Sequence, residues 1–203
     1  MTTWDKYGGK AADWTDEQYA DAVAYLARRA ELVRTLGPPL RAGDVVLDLA
    51  CGDGGLAAFL PEQRYVGVDA NAEMVAAGQA KGRELVLADL NEFAPPEPVE
   101  ATTVFRAIYY AADRRKLFER IAGYTTGKLV FDLNPRQYRL DDVRADLRTA
   151  GFDRLDLRPF FVPQTRAAVP GLRTLERSGP LARLVLRARF TYMCSASRSS
   201  APS

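Results

Sequence analysis

Three acids close three short apolar runs: Asp48 in VVLDL, Asp69 in YVGVD and Asp89 in ELVLAD. An ionised carboxylate accepts hydrogen bonds and donates none, so acids at strand ends suit a ligand rich in hydroxyls and amines. After Asp48 the chain reads ACGDGG, placing Gly52 and Gly54 around a further acid, Asp53. A strand that leaves through glycines lets a ligand come close to the backbone. The plainer alternative is that the three acids only end strands as turn residues. The chain has no histidine and two cysteines, Cys51 and Cys194. The commonest general base and metal ligand are therefore missing, and neither a zinc site nor a disulfide framework is expected. Chemistry must then come from carboxylates, tyrosines or positioning. Arg106, Tyr109 and Tyr110, in TTVFRAIYYAAD, and Arg136, in FDLNPRQY, are the other polar candidates.

These residues need a frame. Strands are expected at 45–49, 65–69, 84–88, 102–106, 128–133, 155–162 and 189–195, with helical stretches between the first five. TDEQ at 15–18 reads as a capping box that opens a helix to about Leu36. Leu56–Leu60 reads as a short helix. Asn71 and Asp113 read as caps of helices at 72–80 and 114–121. DDVRADLRTAGF is amphipathic and ends on Gly151, a natural helix stop. Repeated strand–helix units argue for an α/β protein with a parallel sheet and helices on both faces.

Three ligands compete for the glycine turn. A nucleoside triphosphate loop is excluded, since no Gly-Lys-Ser/Thr follows. GDGGLA satisfies the dinucleotide pattern, and Asp69 stands where a ribose-binding acid belongs, so a nicotinamide oxidoreductase is a real rival. Asp48, however, would set negative charge beside a pyrophosphate, whereas a ligand with a cationic amine gains from it.

VLDLACGDG resembles the first motif of the class I S-adenosylmethionine-dependent methyltransferases, a hydrophobic strand followed by D-x-G-x-G-x-G. Here Ala50 stands in place of the first glycine. YVGVDANAEMVAAG and LVLADLNEF resemble the second and third motifs. The resemblance covers most of 40–152. It implies a doubly wound, three-layer, seven-stranded and mostly parallel sheet, order 3-2-1-4-5-7-6, with the last strand antiparallel. It also implies S-adenosylmethionine as cofactor, giving S-adenosylhomocysteine. Asp48, Ala50, Gly52 and Gly54 would pass beside the methionine end. Asp69 would accept from the ribose hydroxyls, Ala70 and Met74 would line the adenine, and Asp89 with the Leu90 amide would meet its edge. Tyr7, in the N-terminal segment, would fold over the methionine end. Arg106 would lie beside the cofactor, with Tyr109, Tyr110 and Arg136 toward the acceptor and Tyr109 as the catalytic candidate. For Tyr110 and Asp113 the plainer readings, core residue and helix cap, are preferred. Asn134–Arg136 is either a loop over the acceptor or a Pro-directed turn.

The chain of 203 residues fits one domain: an N-terminal segment and helix over 1–36, a cofactor-binding core over 40–152, and an insert over 163–188 between the last two strands. No apolar run could span a bilayer, and the N-terminus has no signal-peptide pattern, so a cytoplasmic location is expected. The net charge is +2, but residues 164–203 hold seven arginines and one acid, so the remainder is acidic. The insert is apolar and basic. It reads as a lid for a hydrophobic acceptor, with packing or a dimer seam next and membrane-surface contact last. Aromatics are not interleaved with the basic residues, so no nucleic-acid partner is expected. A monomer or homodimer that methylates a small molecule at oxygen or nitrogen follows, or a methyltransferase-like binding domain without chemistry.

Overall fold

The computed structural model describes residues 19–162 and 191–199. Seven strands make one sheet: β1 Val45–Leu49, β2 Arg64–Asp69, β3 Leu85–Leu87, β4 Val99–Val104, β5 Thr125–Leu133, β6 Arg154–Phe160 and β7 Thr191–Ser197. Their order is β3-β2-β1-β4-β5-β7-β6. β7 runs antiparallel to both neighbours and the other pairings are parallel.

Period-two alternation fills both faces. Leu47, Leu49, Leu129, Phe131 and Leu133 point to one side. There they meet Leu117, Phe118 and Ile121 of α3 (Arg114–Tyr124) and Val143 and Leu147 of α4 (Leu140–Thr149). Val46, Val130 and Met193 point to the other side, against Leu26, Ala30 and Val33 of α1 (Ala22–Thr35) and Val75 of α2 (Ala72–Ala80). Each such buried aliphatic contributes about 1.5–3 kcal/mol.

The caps fall where the sequence puts them for two helices. The Asn71 side chain accepts from Glu73 and Met74 N–H, and that of Asp113 from Arg115 and Lys116 N–H. Gly151 follows α4 at φ 94°. α1 differs: it begins at Ala22 and is capped by Asp21, while Thr15–Gln18 lie outside the described residues. The expected helix at 56–60 is a 3-10 turn, Gly55–Phe59, too short for an α-helical turn to propagate. β4 starts at Val99 and stops at Val104, so Arg106 lies in the turn beyond it and not on the strand. Tyr7, Trp4, Trp14 and the 163–188 insert also lie outside the described residues. No described helix is long and apolar enough to cross a membrane.

From β1 the chain adds β2 and β3 on one side and then crosses to add β4 and β5 on the other, so the strand order reverses between the parallel neighbours β1 and β4. Ligands of open α/β sheets bind at such a switch point, outside the carboxyl ends of the strands.

Candidate functional site

A cleft open to solvent lies at that point. It is walled by the exits of β1 (Asp48–Asp53), β2 (Asp69, Asn71) and β4 (Phe105–Ala107), by Tyr19 and Arg29 from the α1 side, and by Met74, Tyr109 and Tyr110. Of the residues singled out from the sequence, Asp48, Ala50, Gly52, Asp69, Met74, Arg106, Tyr109 and Tyr110 meet here.

The β1 exit is strained. Ala50 stands at φ 56° and Gly52 at φ 61°, and the Cys51 N–H bonds to the Val68 carbonyl, so the turn doubles back over β2. Glycine adopts that backbone freely. Alanine in the left-handed region costs roughly 1–2 kcal/mol, so the small-residue departure from the family motif leaves local strain. The turn is braced from below. Asp53 is 1% exposed and is held by Lys81 Nζ at 3.1 Å and Arg83 Nη1 at 2.9 Å. It is a structural acid rather than a ligand group.

Asp48 is buried, and both its oxygens are engaged. Thr103 Oγ1 donates to Oδ1 at 2.5 Å and Tyr65 Oη to Oδ2 at 2.8 Å. Burial pushes its pKa from 3.8 up to about 6 against the pull of those two hydroxyls and of Arg29. The acid that the sequence offers as a bare carboxylate for an amine is thus a held group at the cleft floor whose ionisation burial delays to about pH 6. Asp69 is more open. Its Oδ2 accepts from Gly52 N–H at 2.7 Å and its Oδ1 from Asn71 N–H at 2.9 Å. An ionised carboxylate offers about four acceptor positions, so capacity for a diol remains. Burial raises its pKa and the backbone N–H donors oppose that.

Several expected residues stand elsewhere. Gly54, at φ 72°, faces the Leu85 and Arg83 side chains, where an added Cβ would come within 2.9 Å of Leu85, so it serves turn packing and does not line the cleft. Ala70, Asp89 and Leu90 are absent from the cleft wall. Asp89 Oδ1 accepts from Asn91 N–H and Nδ2, which leaves Oδ2 for a further donor, and Leu90 is buried in the core. Asn91 Nδ2 also donates to the Tyr110 carbonyl, which ties the β3 exit to the acceptor side. Arg136 is exposed in a turn closed by its own N–H on Asn134 Oδ1, away from the cleft wall. Tyr109 is 48% exposed and Tyr110 half-buried, in a 3-10 turn over Ile108–Tyr110. Their rings lie 4.3 Å apart.

One cluster escaped the sequence reading. Arg29 is 3% exposed, and its Nη2 donates to Tyr25 Oη at 2.7 Å and Asp132 Oδ2 at 2.8 Å. Its guanidinium lies 4.5 Å from the Tyr25 ring centre and 4.4 Å from that of Phe105. Asp132 Oδ1 accepts from the Arg106 N–H at 2.6 Å. One buried acid therefore joins α1 to the β4 exit. Tyr25 and Arg29 are four residues apart on one helix face, and Asp132 ends β5 as Asp48 ends β1, in FDL and LDL; that repeated strand-end acid was the available signal.

No group of acids and cysteines that could hold a metal exists among the described residues. The arrangement offers acceptors for hydroxyls and amines along one wall, with aromatic rings and two arginines on the other.

Comparisons with known proteins agree. Residues 46–126 match the family described as a methyltransferase domain. A chain of the complex between the Haloferax volcanii Trm112 methyltransferase activator and a proposed methyltransferase superposes with TM-score 0.68 at 19% identity, covering 100% of both chains. Magnesium protoporphyrin IX methyltransferase from Synechocystis PCC 6803, with bound S-adenosylmethionine, superposes at 0.62 and 16% identity, over 97% of this chain and 89% of that one. The [4+2]-cyclase SpnF superposes at 0.61 and 16%, over 86% and 82%. No curated protein matches the chain in sequence.

Proposed function

We infer that this chain is a class I S-adenosylmethionine-dependent methyltransferase and uses that compound as cofactor, supported by the methyltransferase-domain match over residues 46–126 and by the fold shared with a neighbour that binds it. The acceptor we propose is a small molecule, methylated at oxygen or nitrogen. The observation that carries this reading is the pairing, at the switch point, of a glycine turn and strand-end acids on one wall with Tyr19, Phe105, Tyr109 and Tyr110 on the other. A concave wall with a few convergent polar groups at the switch point of an open α/β sheet is where small ligands bind in such folds.

When bound, the cofactor supplies a methyl group on a positively charged sulfur. The chain's own residues bind and orient. Asp69 keeps two acceptor positions for the ribose hydroxyls while Gly52 and Asn71 hold it still. Asp89 stands one residue back from the wall, joined through Asn91 to the Tyr110 carbonyl, and its Oδ2 is the acceptor for an adenine amino group that reaches this end of the cleft. Gly52 lets the methionine end lie against the backbone, with Asp48 below it on the cleft floor and Met74 on the wall. No histidine is available to remove a proton, so the rate rests on alignment, for which effective molarities of 10⁵ M or more (about 7 kcal/mol) are known. Tyr109, exposed at the cleft mouth, touches the acceptor.

Calorimetric titration of the protein with S-adenosylmethionine and with NAD tests the assignment. We expect binding of the first, and a loss of about 1.5–3 kcal/mol in Asp69→Ala, since bonds to a charged acceptor vanish. Tight binding of NAD alone would overturn it in favour of hydride transfer.

A further inference from the structure

We propose that Arg106 anchors a carboxylate of the methyl acceptor, so that the acceptor is a planar aromatic acid methylated at a second atom. This rests on the reading of the cleft just given, and it moves Arg106 from the cofactor side to the acceptor side.

Two arginines line the cleft. Arg29 is matched by the Asp132 carboxylate. Asp132 meets Arg106 only at the backbone N–H, and the Arg106 guanidinium has no hydrogen-bond or ion-pair partner among the described residues. Its main chain stands at φ 54°, one of two non-glycine residues in the left-handed region among those described, and both border the cleft. A side chain with a Cβ avoids that backbone. Here the buried Asp132 clamps it there. Arg106, half-buried and with its charge unmatched among the described residues, thus lines the cleft together with Phe105, Tyr109 and Tyr110, whose rings suit a flat apolar body. A single guanidinium fork matches one carboxylate through two parallel bonds, whereas a phosphate dianion calls for more donors.

The anchored carboxylate is not the reacting group. The acceptor's nucleophilic oxygen or nitrogen gives its lone pair to the methyl carbon, the carbon–sulfur bond breaks with its pair left on sulfur, and the acceptor's proton passes to water. The cation then holds the far end of the acceptor without drawing electrons from the attacking atom.

Benzoate, benzamide and phenyl phosphate are titrated into wild type, Arg106→Gly and Arg106→Gln, each saturated with S-adenosylhomocysteine. Wild type should prefer benzoate over benzamide at least tenfold, and both variants less than twofold. Arg106→Gly should melt at or above the wild-type temperature, because glycine takes the φ without strain. Both variants should bind S-adenosylhomocysteine within threefold of wild type. The proposal falls if wild type shows no benzoate preference, if the variants keep it, or if phenyl phosphate binds tenfold tighter than benzoate. It falls equally if the variants lose S-adenosylhomocysteine, which would return Arg106 to the cofactor. Should wild type itself not bind S-adenosylhomocysteine, the proposed cofactor use fails separately, and the same benzoate criterion is applied to the protein alone.

Discussion

Replacing Asp48 with Asn should stabilise the protein at neutral pH. Asp48 has a folded-state pKa of about 6 against 3.8 for the free group, with burial the largest cause. A raised carboxylate pKa means that the folded state holds its proton more tightly than the unfolded chain does. The corresponding stability is fully present below pH 3.8 and is lost as pH rises through 6. A difference of roughly two units corresponds to about 3 kcal/mol at pH 7. Asn keeps the shape, and Thr103 and Tyr65 can still bond to it, because a hydroxyl can accept from an amide as readily as it donates. Those two bonds are already counted in the net shift, so only the poorer match of an amide than of a protonated carboxyl to the two hydroxyls takes back about 1 kcal/mol. Urea unfolding from pH 4 to 8 should therefore show Asp48→Asn near or just below wild type at pH 4. The gap should climb across pH 4–6.5, and the variant should lead by about 1–2 kcal/mol at pH 7. A gap independent of pH, or a variant as weak at pH 7 as at pH 4, would refute the reasoning, since ionised Asp48 would then not be a cost of folding.

Tyr109→Phe should lower turnover only a few-fold, because alignment rather than proton transfer carries the rate; complete loss of turnover with cofactor and acceptor still bound would make the hydroxyl an essential acid or base. Gly78→Ala, in α2, sets helix propensity against packing: alanine gains about 1 kcal/mol as a helix former, yet its Cβ would lie 2.6 Å from the Asp53 carbonyl and 2.1 Å from a Leu85 methyl. Overpacking of 1–3 kcal/mol or more should win, so a lowered melting temperature is expected, whereas Gly123→Ala, exposed in α3 with nothing within 4 Å, should raise it.

How far the sequence leads can be argued from particular residues. β1, α2 and the caps at Asn71 and Asp113 are legible because they obey local rules of apolar alternation and of side chains that accept backbone N–H. The glycine turn and Asp69 are legible as a motif, and they reach the cleft. What is not legible is competition for the same atoms. Asp48, Asp53 and Asp132 look alike as short acids at strand ends or in turns, yet the fold gives the first to two hydroxyls, the second to Lys81 and Arg83, and the third to Arg29. Their partners lie 17 to 103 residues away, so no local pattern could assign them. The β4 exit was misplaced for a similar reason. TTVFR alternates like a strand through Arg106, and only the Asp132 clamp from β5 turns the backbone at that residue.

Three departures from local rules meet at one place. Ala50 stands where glycine would be unstrained, Arg106 adopts a left-handed backbone, and Asp48 is buried with its ionisation suppressed. Each alone lowers stability by an amount comparable to a typical destabilising substitution. A folded protein of modest total stability carries such costs where the surrounding structure gains something from them. All three border the same cleft, and each has a simple cure in one substitution: Ala50→Gly, Arg106→Gly and Asp48→Asn. Strain relief would leave the fold intact and the melting temperature raised. It would also remove a fixed turn wall, a cation on the cleft lining and an acid on the cleft floor. These residues persist in unfavourable states while the helices and strands that carry them follow the ordinary rules, which is the pattern expected of a cleft that gains function from the strain it holds.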